Sequence, residues 1–212
     1  MAKYSQPTFR IISGTVNNTV GTNWCEVNYL RNVEKKSNKG PSNAQLGVQA
    51  KLILAANRLT RIKNVLNLGF SDKKLNKIIG YNAAVREFIN NAITGEYPHL
   101  FVDYAKMQLS KGALSTLKQV ILTLQDNVLL VKWVAKEDKI VGNADDEVLI
   151  LMYNTTADEY MTNMDAKRSE GEIFLKLAEK AGDNIQVWLF CVSKDRKSVS
   201  TSQYIGTVTL PL

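Results

Sequence analysis

The longest regular pattern of apolar and polar positions runs from Gly40 to Pro98, and it has the period of a helix. Leu52, Ala55, Ala56, Leu59, Ile62 and Leu66 recur at steps of three and four, while Lys51, Arg58, Arg61 and Lys63 fall between them. One apolar stripe is thus backed by basic side chains. Ser42 with Gln45 three residues on is a capping-box sequence, which predicts a helix start there. Gly69 followed by Phe70 predicts the helix end, with Gly69 in the left-handed conformation. A second short helix is predicted over 72–79, burying Leu75, Ile78 and Ile79. A third, capped by Asn82, should bury Ala83, Ala84, Phe88, Ala92 and Ile93 and stop at Gly95 and Pro98.

On either side the pattern is that of strands. Residues 9–16 and 19–24 flank Asn17-Asn18, a pair that tolerates the positive φ of a two-residue turn, so they predict a hairpin. Residues 25–33 read as a continuation of its second strand. After Pro98 come short runs rich in Val, Ile, Leu, Tyr and Trp, near 101–109, 119–125, 129–135, 148–153, 173–177, 185–193 and 203–210. Turn residues separate them: Asp126-Asn127, Gly142-Asn143, Gly171, Gly182-Asp183-Asn184 and 194–197. Seven short strands in about 110 residues is the count of an immunoglobulin or fibronectin type III sandwich. Trp133 and Trp188 are its expected core anchors. Cys191 has no cysteine partner in that region, which favours the fibronectin-like variety. The predicted fold class is therefore α+β. An N-terminal β-hairpin plus short helical bundle occupies 1–98, and a C-terminal seven-stranded Ig/fibronectin III-like β-sandwich occupies 99–212 as a separable folding unit.

Residues spread along the chain carry a family resemblance. They are Gly14, Val20-Gly21, Trp24 and Tyr29-Leu30-Arg31 at the start, then Pro41 to Leu52 with Ala44-Gln45 at its centre. Gly69-Phe70, Tyr81-Asn82-Ala83-Ala84, Asn91-Ala92-Ile93-Thr94-Gly95, Tyr97-Pro98 and Tyr204-Ile205-Gly206 complete the set. Together they resemble an uncharacterised Bacteroidota family known only as a domain of unknown function, in which a glycine-punctuated hairpin and a helical stretch precede a fibronectin-like sandwich. The resemblance implies that fold and no activity. Asn23-Trp24-Cys25-Glu26 departs from it, the family being more often small and basic around the aromatic.

Composition adds bounds. With 212 residues, 45% of them hydrophobic, the chain can bury one full core and a second smaller one. No apolar run reaches the ~18 residues of a membrane span, and the first residues lack the apolar core of a secretion signal. The expected location is cytoplasmic or virion-associated. Cys25 and Cys191 form neither a CxxC pair nor part of a four-ligand set, so both are expected as buried thiols. Charge is uneven: residues 1–98 hold 14 Lys and Arg against 5 Asp and Glu, and residues 99–212 hold 13 against 15. A basic half can meet nucleic acid, but it can equally be a solvated helix back or face an acidic neighbour.

No pattern specifies a reaction. His99 is the sole histidine, at a predicted domain junction, and neither a phosphate-binding glycine loop nor an HExxH helix occurs. Asn143-Ala144-Asp145-Asp146-Glu147 lacks the EF-hand spacing and reads as a solvated acidic loop. Catalytic, cofactor-binding and metal-binding residues are all assigned as none. Two functional readings remain. In the first, this is a non-enzymatic structural or assembly protein, as in a phage-derived particle, tail or filament. It would associate with itself or other structural proteins through Phe9, Ile12, Val20, Trp24 and Tyr29, whose apolar groups need cover. In the alternative, it is a basic adaptor that binds nucleic acid through Arg58, Arg61, Lys63, Lys73, Lys74 and Lys77.

Overall fold

A computed structural model describes residues 2–4, 13–24, 27–34, 40–71, 79–125, 127–135, 142–177 and 181–211. The chain divides into two units, Met1–Ser42 and Asn43–Leu212. The first unit holds the N-terminal strands, and the second holds the helices together with the later strands.

The first unit is a four-stranded antiparallel sheet built from β1 (Ala2–Tyr4), β2 (Gly14–Val16), β3 (Thr19–Trp24) and β4 (Val27–Asn32), in the order β1-β4-β3-β2. Asn17-Asn18 joins β2 to β3, with Asn17 at φ 50°, the conformation that the hairpin reading required. Of the predicted continuation over 25–33, the described part from Val27 to Asn32 does not prolong β3. Trp24 instead pairs with Val27, and β4 runs back antiparallel along β3. The Nδ2 of Asn23 donates to Oδ1 of the directly opposed Asn28 at 2.8 Å, and Asn28 is buried. A buried amide is costly unless bonded, so this pair favours one register of the β3–β4 ladder.

The second unit begins with α1 (Asn43–Leu59), a 3-10 turn at Thr60–Ile62 and α2 (Lys63–Gly69). The predicted single helix is thus stepped near Thr60. There the Thr60 hydroxyl donates to the Ala56 carbonyl at 2.6 Å, a back-bond that bends helices. Ala55, Leu59, Ile62 and Leu66 are buried as the stripe predicts, but Leu52 is 53% exposed because α1 extends beyond the core at its start. Gly69 is not left-handed. Its requirement is proximity: a Cβ there would lie 2.2 Å from the Leu109 carbonyl oxygen.

The helix predicted over 72–79 lies almost wholly on residues outside the described set. Next comes α3 (Gly80–Glu87), continued by a π-helical turn at Phe88–Ala92. The free Tyr81 N–H at its start donates to Oδ1 of Asn67 in α2 at 2.9 Å, so Asn67 does the capping expected of Asn82. Ala83, Ala84, Phe88, Ala92 and Ile93 are all buried, as predicted.

A small hairpin follows, β5 (Ile93–Glu96) and β6 (His99–Val102), and the predicted strand over 101–109 ends at Val102. Asp103 then caps a 3-10 turn at Tyr104–Lys106, its Oδ1 accepting from the Ala105 N–H at 3.2 Å. The remaining strands are β7 (Lys118–Gln125), β8 (Val128–Val134), β9 (Glu147–Asn154), β10 (Glu159–Lys167), β11 (Glu172–Lys176), β12 (Asn184–Val192) and β13 (Gln203–Thr209). They form a four-stranded sheet, β10-β9-β12-β13, and a three-stranded one, β11-β8-β7, with antiparallel pairing throughout. The protein is thus a mixed α+β chain, mostly strands in several antiparallel sheets.

The apolar runs of β9 and β12 explain why the helices and these sheets form one unit. Both strands are buried nearly end to end, which requires cover on both faces. One face, with Leu149, Leu151, Tyr153, Trp188, Phe190 and Val192, joins the core of α1, α2 and α3. The other, with Val148, Ile150, Met152, Ile185, Val187, Leu189 and Cys191, meets Leu129, Val131, Trp133 and Leu175 of the three-stranded sheet. Trp133 and Trp188 are both buried anchors, but of different cores. A separable sandwich over 99–212 is therefore not what this packing supports, since removing the helices would uncover Leu151, Trp188 and Phe190.

Candidate interaction surfaces and a closed polar cluster

Three of the residues singled out for charge can be placed. Arg58 lies in the last turn of α1 and Arg61 in the 3-10 turn after it, so both emerge on the side facing the turn between β9 and β10. Asp158 occupies that turn in the left-handed conformation, φ 57°, which aspartate tolerates better than most residues. Its carboxylate accepts from Arg58 Nη1 at 2.5 Å and from the Tyr153 hydroxyl at 2.7 Å, and it pairs with Arg61 Nη2 at 3.1 Å. Arg61 also donates to the Asp158 carbonyl, and Arg58 to the Tyr153 hydroxyl. The Tyr153 hydrogen bond, together with the two guanidinium charges, holds the Asp158 carboxyl below its ordinary pKa. Burial and the same hydrogen bond push the Tyr153 phenol up. Tyr153 stacks on Tyr160 with ring centres 4.4 Å apart, and Arg58 lies over the Tyr153 ring.

A cleft of about 590 Å³ lies beside this cluster, lined by Leu54, Ala56, Asn57, Arg58, Thr60, Arg61 and Asp158. The guanidiniums of Arg58 and Arg61 are thus turned to a half-exposed carboxylate of the same chain. Lys63 sits over the ring of Tyr81 at 5.8 Å. Lys73, Lys74 and Lys77 lie outside the described residues. The chemistry of the cluster is that of a clasp: charged hydrogen bonds tie α1 to the β9–β10 turn across 100 residues of sequence.

The acidic run 143–147 is a solvated loop only in part, since Asn143 and Asp145 are exposed but Asp146 is not. Asp146 is buried, pairs with Arg168 Nε at 3.3 Å and accepts from the Asn143 N–H at 2.9 Å. Arg168 in turn donates to the Ser115 carbonyl, and its own carbonyl accepts from Trp133 Nε1. Asp145 pairs with Lys167 and Lys194, and Glu147 with Arg196. Every carboxylate of the run faces a cation, an environment suited to neutralisation and not to a hard metal ion. His99 is exposed on β6, opposite Glu96.

Of the residues proposed for contacts between copies, Val20 and Tyr29 are half-buried and share one face of the first sheet, since Val20 opposes Arg31 and Thr22 opposes Tyr29. Trp24 ends β3, while Phe9 and Ile12 lie outside the described residues.

A second surface escaped the sequence reading. The registers of β7, β8 and β11 lay out the outer face of the three-stranded sheet in rows: Lys118 and Val134; Ile121, Lys132 and Glu172; Thr123, Leu130 and Phe174; Gln125, Val128 and Lys176. The odd-numbered β8 residues Leu129, Val131 and Trp133 turn inward, so the even ones face out. On this face Phe174 is 62% and Ile121 59% exposed, and Val134 is exposed beside them. The alternation of β8 signalled one outward face, but not that the neighbouring strands add apolar groups to it.

A family model for a family of unknown function, DUF6266, matches residues 11–206, and the chain belongs to that family. No curated protein matches the sequence. Among solved structures, the chain is similar to the solution structure of the fn3 domain of the human collagen alpha-1(XX) chain, with a TM-score of 0.36 and 11% identity over 47% of this chain and 87% of that one. It is also similar to a myokine structure, with a TM-score of 0.35 and 15% identity over 47% of this chain and 99% of the other. Among the described residues, no helix is long and apolar enough to cross a membrane.

Proposed function

We propose that this protein is a non-enzymatic structural or assembly protein that acts through contacts with other protein chains, as a component of a particle, tail or filament, cytoplasmic or virion-associated. In this reading the second unit is a carrier built on a seven-stranded fibronectin III-like sandwich, β10-β9-β12-β13 over β11-β8-β7, and the first unit makes the principal contact between copies. The size of the first unit carries the proposal. Its strands have three, three, six and six residues, and Val16 on β2 and Val33 just after β4 remain exposed. Units near 40 residues usually depend on disulfides, a metal or association for stability, because little of their surface can be buried. This one has a single cysteine, Cys25. Among the described residues β1 and β2 are the outer strands of this sheet, and outer strands serve as templates for strand addition. Comparing the mass in solution of the full chain with that of a variant lacking residues 1–33 tests the proposal. The full chain is expected to associate and the truncated one to be a folded monomer; equal masses would overturn it.

A further inference from the structure

We infer that the outer face of the sheet β11-β8-β7 is a second docking surface, and that its occupant is another protein's apolar strip flanked by carboxylates. This surface is distinct from the contact proposed for residues 1–42. An antiparallel sheet that is covered on one side ordinarily turns polar residues to water on the other. Here the middle rows present Ile121, Leu130 and Phe174 beside Lys132, Glu172 and Thr123, with Val134 and Val128 in the two outer rows. Three of these are among the large apolar side chains that the chain leaves exposed. Large apolar side chains gathered on one exposed sheet face among charged ones mark contact sites.

The border selects the occupant. Lys118, Lys132 and Lys176 stand on this face against the single carboxylate of Glu172, which pairs with Lys132 at 3.1 Å. Among the described residues, no carboxylate lies within ion-pair distance of Lys118 or Lys176. Among the described residues the face therefore holds a net charge of +2, at two opposite corners of the apolar rows. A second copy of the face would bring like charges together, which costs free energy at an interface. Nor does either unit supply an excess of carboxylates. Residues 1–42 hold six basic and two acidic side chains, and 43–212 hold 21 and 18, net charges of +4 and +3. Complementarity points to an acidic partner.

The test uses the full chain, isotopically labelled, with two synthetic strand peptides as probes. One alternates Glu with Val and Phe; the other has Lys at each Glu position. The acidic peptide is expected to shift resonances of 118–134 and 172–176, and to bind about tenfold more tightly than its lysine counterpart at low salt, with the ratio shrinking as salt is added. Phe174→Ser combined with Ile121→Ser should abolish binding. Lys118→Glu combined with Lys176→Glu should invert the preference, and all four positions are exposed enough to leave the fold intact. Equal binding of the two peptides, or no shifts with either at millimolar concentration, overturns the inference. So does duplex DNA that shifts the same resonances and displaces the peptide. A fall in the mass of the full chain caused by the Phe174 and Ile121 substitutions would instead assign the face to a second copy. None of these readouts depends on residues 1–33, so the proposed contact between copies stands or falls separately.

Discussion

Ile150 and Leu151 are neighbours in β9, both fully buried, and they belong to different cores. Ile150 lies between the two large sheets, and Leu151 lies against the helices. A strand of alternating side chains can do this only when each face is covered by a separate layer. The helices therefore belong to the same cooperative unit as the sheets. Ile150→Ala and Leu151→Ala should each cost about 2 to 5 kcal/mol and lower one shared unfolding transition. Two separate transitions in calorimetry, each responding to one substitution alone, would contradict this.

Trp133 supports the same layer from the other side. It is buried between the sheets and donates through Nε1 to the Arg168 carbonyl at 2.9 Å. Trp133→Ala removes a large core group and leaves that carbonyl unpaired, at a cost of about 3 to 5 kcal/mol. Chemical denaturation measures it.

At the clasp, the Asp158 carboxyl has a lower pKa in the folded chain than in the unfolded one. Its contribution to stability is then complete above the ordinary carboxylate range, near pH 4, and is lost as the pH falls through the folded value. Asp158→Asn should lower the melting temperature at neutral pH and flatten its decline in acid relative to the unsubstituted chain. Reversing the charge at Arg61 should likewise reduce stability and leave duplex DNA affinity unchanged. A loss of salt-sensitive DNA binding on that substitution would favour the nucleic-acid alternative.

Cys191 is buried between the sheets, and burial pushes its thiol up to about 11. The thiolate is the reactive form, so iodoacetamide at mildly alkaline pH should leave Cys191 unmodified until the second unit unfolds. Peptide mapping before and after denaturation checks it.

How much of this was legible in the sequence depended on range. The Asn17-Asn18 turn and the strands β9 and β12 were readable because their signals are local: a turn-tolerant pair in one case, unbroken apolar runs in the other. β10 was not, because this edge strand places Thr162, Asn163 and Asp165 among its apolar residues and resembles a loop. Leu52 was assigned to the core because periodicity identifies a face of a helix but not how far along it the cover extends. The Arg58–Asp158 clasp joins residues a hundred positions apart, a pairing that no local pattern encodes. The outward position of Phe174 and Ile121 likewise followed only once the registers of β7, β8 and β11 were known.

The central claim is that copies of this chain associate through residues 1–33. Sedimentation equilibrium of the full chain over a wide range of concentration measures it most directly. A mass that rises above the 23.7 kDa of one chain and returns to a monomer's value when residues 1–33 are deleted is the predicted result. A full chain that stays at 23.7 kDa at every concentration would contradict it.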